Sequence, residues 1–214
     1  SSDVCSSDLI EAFHRINQKG CPIVLYAAGL PKVTKLAGDI KSYAERLFSF
    51  MEIGSLADEE AKKALVEPAK KFNITFHKNV LDKIVELTEG YPYFLQEYGS
   101  CIWKTKGDEK AISMEVFQKA YKLIVETLDA SFFKVRFDRA TAKEAEFMFA
   151  MSDCKELPCA TKEVATHMGE SQQSISPIRA TLIHKGFIYS PQRGLINFTV
   201  PQFDDYLHRI KSNN

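Results

Sequence analysis

The 214 residues carry 28 Lys+Arg and 28 Asp+Glu. This balance gives the chain as a whole no electrostatic pull towards nucleic acid or a membrane surface. With 45% hydrophobic and 26% charged residues, the composition suits a globular chain with a sizeable core and excludes a disordered tail or a fibrous repeat. No apolar run reaches the roughly 20 residues of a membrane-spanning helix, so no membrane partner is expected. The 5 cysteines are scattered and odd in number, which points to a reducing cytoplasm rather than a disulfide framework.

In chain order, Ser1 to Leu9 has no basic start and no apolar core, so it is not a signal peptide. It resembles the translation of a sequencing-library adapter, and residues 1–9 are expected to be non-native, with the natural gene extending upstream. Ile10, Phe13 and Ile16 stand at helical spacing, and Lys19-Gly20 ends that helix. Cys21 to Gly29 is a continuous apolar run and predicts a strand buried on both faces. Residues 40–48 predict a helix, and the alternation from Phe48 to Ile53 predicts a short strand.

The stretch from Ala57 to Ala69 predicts a helix with acids in its first turn, where the helix dipole favours them, and Pro68 near its end. Leu81, Ile84, Val85 and Leu87 mark the next helix, broken by Gly90-Tyr91-Pro92. Tyr93 to Trp103 is strongly apolar and helical. Ser113 caps a helix running past Leu128, and the aromatic and basic segment Phe132 to Asp138 joins it to the last third of the chain.

That last third carries the sharpest local signals. Thr141-Ala142-Lys143-Glu144 is a capping box and opens a helix. Thr161 to Gly169 predicts a short helix closed by glycine. Ser171 to Gly186 predicts a third helix in which Ile175, Ile178, Leu182 and Ile183 form the core face. Phe187 to Ser190 and Leu195 to Thr199 flank a Pro191-Gln192-Arg193-Gly194 turn. Cys154 and Cys159 surround a Lys-Glu-Leu-Pro turn with His167 nearby. A C-x4-C pair with one helical histidine lacks the usual ligand spacing, so no metal is expected. The five histidines stand in unrelated contexts and suggest no hydrolase.

Helix, helix, turn, helix and then two short strands around a glycine-bearing turn is the order of a winged helix-turn-helix, which Thr141 to Val200 resembles. The resemblance implies that the third helix enters the DNA major groove. Gln172, Gln173, Ser174, Ser176, Arg179 and Thr181 would then face base edges, glutamine pairing with adenine and arginine with guanine. Lys185 and Arg193 would meet phosphates. From Ala140 onwards, however, basic and acidic residues balance. Strong DNA binders carry a basic surplus, so DNA contact and protein docking both remain open.

The order of the apolar run, Gly29-Leu30-Pro31, a helix with Glu45-Arg46, an acidic helix and Thr88-Glu89-Gly90-Tyr91-Pro92-Tyr93-Phe94-Leu95-Gln96 resembles the back half of AAA+ and STAND-type P-loop ATPases, including the origin-recognition group. The resemblance implies a mainly α fold. Residues 10–54 would be the remnant of an α/β ATPase core, 55–138 a helical lid and 139–214 the winged helix. Arg46 falls where an arginine finger would stand, with a salt bridge to Glu45 or Asp39 as the alternative. Tyr91 falls where the lid meets nucleotide, with packing as the alternative.

No G-x-x-x-x-G-K-[ST] occurs in the sequence, nor an apolar strand ending in paired acids. The chain is therefore expected not to hydrolyse ATP by itself. ATP and Mg would belong to the parent protein, whose N-terminal half would be a partner, together with DNA and further copies in a homo-oligomer. The alternative is a stand-alone winged-helix transcription regulator or a protein-docking module.

Overall fold

The computed structural model describes residues 2–27, 48, 49, 51 and 54–212. The fold is mainly α-helical and divides into two compact units, Ser1–Gly54 and Ser55–Asn214.

In the first unit, helix α1 (Ser2–Gln18) includes the apolar spacing seen from Ile10 and stops at Gly20, whose φ of 67° suits glycine. The strand expected over Cys21 to Gly29 is not formed at residues 21–27, which carry no regular structure. Ile23, Val24 and Tyr26 are exposed there. A strand exists only against a hydrogen-bonded neighbour, and the described residues of this unit supply none. Residues 28–47, and with them Arg46, lie outside the described residues, as do residues 50, 52 and 53 of the strand expected at 48–53.

The second unit begins with α2 (Asp58–Lys70), whose Asp58, Glu59 and Glu60 occupy the first turn and whose Ala61, Leu65 and Ala69 are buried. Helix α3 (Lys78–Thr88) buries Val80, Ile84, Val85 and Thr88. It ends at Glu89 and Gly90, with φ values of 48° and 67°. Gly90 is required twice over. Its φ is left-handed, and a Cβ placed there would meet the Leu56 carbonyl oxygen at 2.1 Å. This close approach is what lets the Leu56 N–H donate to the Gly90 carbonyl at 2.9 Å. Pro92 then starts α4 (Pro92–Thr105), a position where the missing N–H costs nothing.

Two short strands, β1 (Thr75–Phe76) and β2 (Ala111–Ile112), pair in parallel with Thr75 opposite Ala111. They hold the ends of two loops that the sequence marks only as polar connections. Helix α5 (Met114–Leu128) starts at Ser113, whose hydroxyl accepts the Val116 N–H. It continues without a break through a π-helical turn, Asp129–Phe133, into α6 (Lys134–Phe137).

The remaining elements are α7 (Ala142–Ser152), β3 (Cys159–Ala160), α8 (Thr161–His167), α9 (Gln172–Lys185), β4 (Ile188–Tyr189), β5 (Leu195–Phe198) and α10 (Phe203–Ser212). The strands form an antiparallel sheet in the order β3-β5-β4. The capping box at Thr141 is complete. The Thr141 N–H donates to Glu144 Oε2 at 2.7 Å, and the Glu144 N–H to the threonine hydroxyl.

Residues 55–138 and 139–212 share one continuous core, where the sequence reading places a boundary between them. The join is aromatic. Phe133 is fully buried and sits between Phe94, Phe132, Phe203 and Tyr206, at centroid distances of 5.3 to 5.8 Å. Polar contacts close its rim. Arg209 makes a two-pronged bond to Asp129 at 2.6 and 2.9 Å. Gln202 donates to the Leu87 carbonyl at 2.7 Å and accepts from the Tyr98 hydroxyl.

Candidate functional site

The site is built around α9 and the turn between β4 and β5. Ser171 caps α9 by accepting the Ser174 N–H at 3.2 Å, which releases the chain into a helix whose first residues are Gln172 and Gln173. Gly186, at φ 74°, terminates it. Ile175 and Leu182 are buried and Ile178 and Ile183 are partly so, so one side of the helix is committed to the core. Pro177 lies inside the helix and leaves the Gln173 carbonyl without a helical N–H donor.

The opposite side is polar and free. Gln172, Gln173 and Ser176 are exposed. Ser174 is bound more tightly than the sequence implies. Its hydroxyl donates to Glu170 Oε2 and lies 2.8 Å from the Ser171 carbonyl. Thr181 donates to the Pro177 carbonyl at 3.0 Å.

Arg179 is half-buried and reaches across to the turn, where its guanidinium donates to the Ser190 hydroxyl at 3.3 Å. Among the described residues its Nε is the one buried side-chain nitrogen or oxygen without a partner. Ser190 in turn lies 2.8 Å from the carbonyls of Gln192 and Leu195, which braces the turn. Arg193 sits at its exposed tip, beside Gly194 with φ 86°.

Lys185 is differently placed. Its ammonium stands 2.7 Å from Glu144 Oε2, and Glu144 is buried. Burial pushes the Glu144 carboxyl up, but the bonds from Lys185 and Thr141 outweigh it and hold the group below the ordinary glutamate range. Lys185 therefore ties the end of α9 to the start of α7.

Ion pairing separates the cations of residues 140–212 into two groups. Lys143, Lys185, Arg209 and Lys211 have carboxylate partners. Lys155, Lys162, Arg179 and Arg193 have none among the described residues. Lys162 follows Thr161, whose N–H and hydroxyl both donate to the Gly194 carbonyl. It thus starts α8 next to the residue pair Arg193-Gly194. Sequence reasoning missed Lys162, because the strand pairing that brings α8 to the turn is not a local signal. Glu170 opposes this positive set at the start of α9, partly balanced by Lys143 at 3.6 Å.

Tyr91 is part of the aromatic join, with its ring 5.1 Å from Phe94 and 6.4 Å from Phe132. The structure does not bring it together with the α9 residues.

A second cluster joins the loop after α7 to α8. Cys154, Glu163 and His167 each offer a ligand atom, and these atoms lie within 4.8 Å of one another. Cys159 is buried at the start of β3, five residues after Cys154. Both thiols are free, and burial pushes each of them up from the ordinary thiol range.

No helix among the described residues is long and apolar enough to cross a membrane. A family described as "Domain of unknown function (DUF8462)" matches residues 130–207, the interval from the π-helical turn into α10. No curated protein and no solved structure matches the chain.

Proposed function

We propose that residues 141–200 act as a winged helix-turn-helix that contacts duplex DNA through the exposed side of α9, with the Ser190–Gly194 turn as the wing. The observation that carries this reading is the set of cations without carboxylate partners, Lys162, Arg179 and Arg193, at or next to one turn, together with the exposed amides of Gln172 and Gln173 on the helix that carries Arg179. Arginines without carboxylate partners pay no cost of breaking an ion pair when they meet phosphate, and each phosphate contact releases counterions. The amides supply the donor and acceptor pairs that base edges need.

Support for an ATPase parent comes from the sequence resemblance between Ile10 and Gln96. The sequence has no P-loop lysine or paired magnesium carboxylates, and Tyr91 is packed among aromatic rings. ATP and Mg therefore do not fit this chain by itself, and we derive no step through them. In this reading the chain is the output arm of an AAA+ or STAND-type protein that positions it on DNA.

The test is fluorescence anisotropy on labelled duplex DNA across a salt series. The expected result is binding that weakens steeply with salt. The double variant Arg179→Ala, Arg193→Ala should bind more weakly, with a log–log salt slope shallower by roughly 2. Unchanged binding in that variant removes α9 and its turn from DNA contact. Absence of binding at low salt favours protein docking instead, the reading that suits the charge balance of residues 140–214.

A further inference from the structure

We propose that Cys154, Cys159, Glu163 and His167 form a zinc-binding site that clamps the loop after α7 to the face of α8. The helix supplies two of the ligands. Glu163 and His167 stand four residues apart and therefore on the same side, one turn above the other, with Glu163 Oε1 4.0 Å from His167 Nε2. The loop supplies the other two. Cys154 stands two residues beyond the end of α7, after the C-cap Asp153, and Cys159 opens β3.

The sulfur of Cys154, a Glu163 oxygen and a His167 nitrogen all lie within 4.8 Å of one another. Tetrahedral zinc with bonds of about 2.0–2.3 Å sets ligand atoms roughly 3.3–3.8 Å apart. Cys159, buried at the start of β3, interacts with the Cys154 thiol and is the candidate fourth donor, outside the 4.8 Å group that Cys154, Glu163 and His167 form.

The donor chemistry selects the ion. Two thiols, an imidazole and a carboxylate suit zinc, whereas calcium and magnesium require oxygen ligands. The groups are only weakly engaged otherwise. The Cys154 thiol donates to the Ala150 carbonyl at 3.6 Å, and Glu163 accepts the Lys155 N–H at 3.3 Å. Neither Lys155 nor Lys162 pairs with the Glu163 carboxylate, so no ammonium occupies the place of the cation. On binding, both thiols lose their protons to solvent and zinc gains two thiolate bonds, with no change of oxidation state.

None of the site's four residues is among those assigned to DNA contact, so metal binding and DNA binding are read out separately. Its physical role is to fix α8 against the loop from Asp153 to Pro158.

The experiment is metal analysis of the full chain, purified in metal-free buffer after growth with zinc. The expected result is one zinc per chain. Replacement by cobalt should give the near-ultraviolet charge-transfer band of thiolate ligation, which imidazole and carboxylate alone do not give. Cys154→Ser, His167→Ala and Glu163→Gln should each weaken zinc by at least about tenfold in competition with a chromophoric chelator. Glu163 and His167 are not core residues, so circular dichroism should show that their variants remain folded. Cys21→Ser, at an exposed position in the other unit, should retain the zinc.

Three results overturn the site. One is substoichiometric metal after growth with zinc. Another is full zinc retention in the Glu163→Gln and His167→Ala variants. The last is a non-reduced chain lighter by two hydrogens with Cys154 and Cys159 joined, which would make the pair a disulfide.

Discussion

The aromatic join around Phe133 and the free side of α9 lie in the same compact unit and are built on opposite terms. At the join, Phe94, Phe133 and Phe203 are fully buried, and the polar groups at its rim are matched across long sequence separations, as Arg209 is with Asp129. On α9 the amides of Gln172 and Gln173 point to solvent and Arg179 keeps an unpartnered Nε. Groups that are fully matched have nothing left to offer a ligand. Groups left unmatched at a well-anchored place contribute little to stability, and they are where recognition is found. The difference separates the residues that hold the molecule from those available to a partner. Lys185 falls in the first class despite its place on α9, because Glu144 claims its charge.

The comparison predicts a graded series. Phe133→Ala should produce the largest loss, about 3–5 kcal/mol by the usual cost of removing a buried aromatic ring, read as a shift in urea midpoint. A loss well below that range would mean that the join is loosely packed and that residues 55–138 and 139–212 are separable. Gly90→Ala comes next, at about 2–4 kcal/mol, because it combines left-handed φ with a clash at the Leu56 carbonyl. Retention of wild-type stability there would show that the Leu56–Gly90 approach can open freely.

Glu144→Gln should cost about 1–3 kcal/mol at neutral pH. The Glu144 carboxyl is held low in the folded chain, so its contribution is present above its unfolded value. It is lost as pH falls through the folded value, below about pH 4.5. In the variant the stability curve should flatten in that acid range. An identical acid limb in variant and wild type would place the Glu144–Lys185 pair outside the energetics of the fold. Arg179→Ala with Arg193→Ala should change stability least, by under about 1 kcal/mol, while weakening DNA binding. A large loss of stability would move Arg179 into the structural class and blunt the contrast between join and face.

Much of residues 141–200 is legible in sequence because its signals are local. A threonine and a glutamate three residues apart cap α7 by themselves, and glycines at 186 and 194 mark places where the backbone must take positive φ. The free residues Gln172, Gln173 and Ser176 follow from the apolar spacing of α9, which leaves only one side for polar groups, and Arg193 follows from its place in the Pro191–Gly194 turn. Helix α10 falls outside the winged-helix resemblance, although Phe203, Tyr206, Leu207 and Ile210 stand at helical spacing with Asp204 and Asp205 in the first turn. Its signal is ordinary, but it lies beyond the recognisable turn. The apolar run at residues 21–27 shows the reverse error. Hydrophobicity announces a wish for burial, and only a neighbouring strand can grant it.

By itself, then, the sequence determines where helices begin and end, where the chain must turn, and which side of α9 is apolar. Each of these depends on residues within about one or two helical turns of one another. Only the tertiary structure decides that Lys185 belongs to Glu144 and that Arg209 belongs to Asp129. It also brings Lys162 to the turn at Arg193 and groups Cys154, Glu163 and His167. Those outcomes depend on which distant groups share a surface, and pairing across space leaves no periodic trace along the chain.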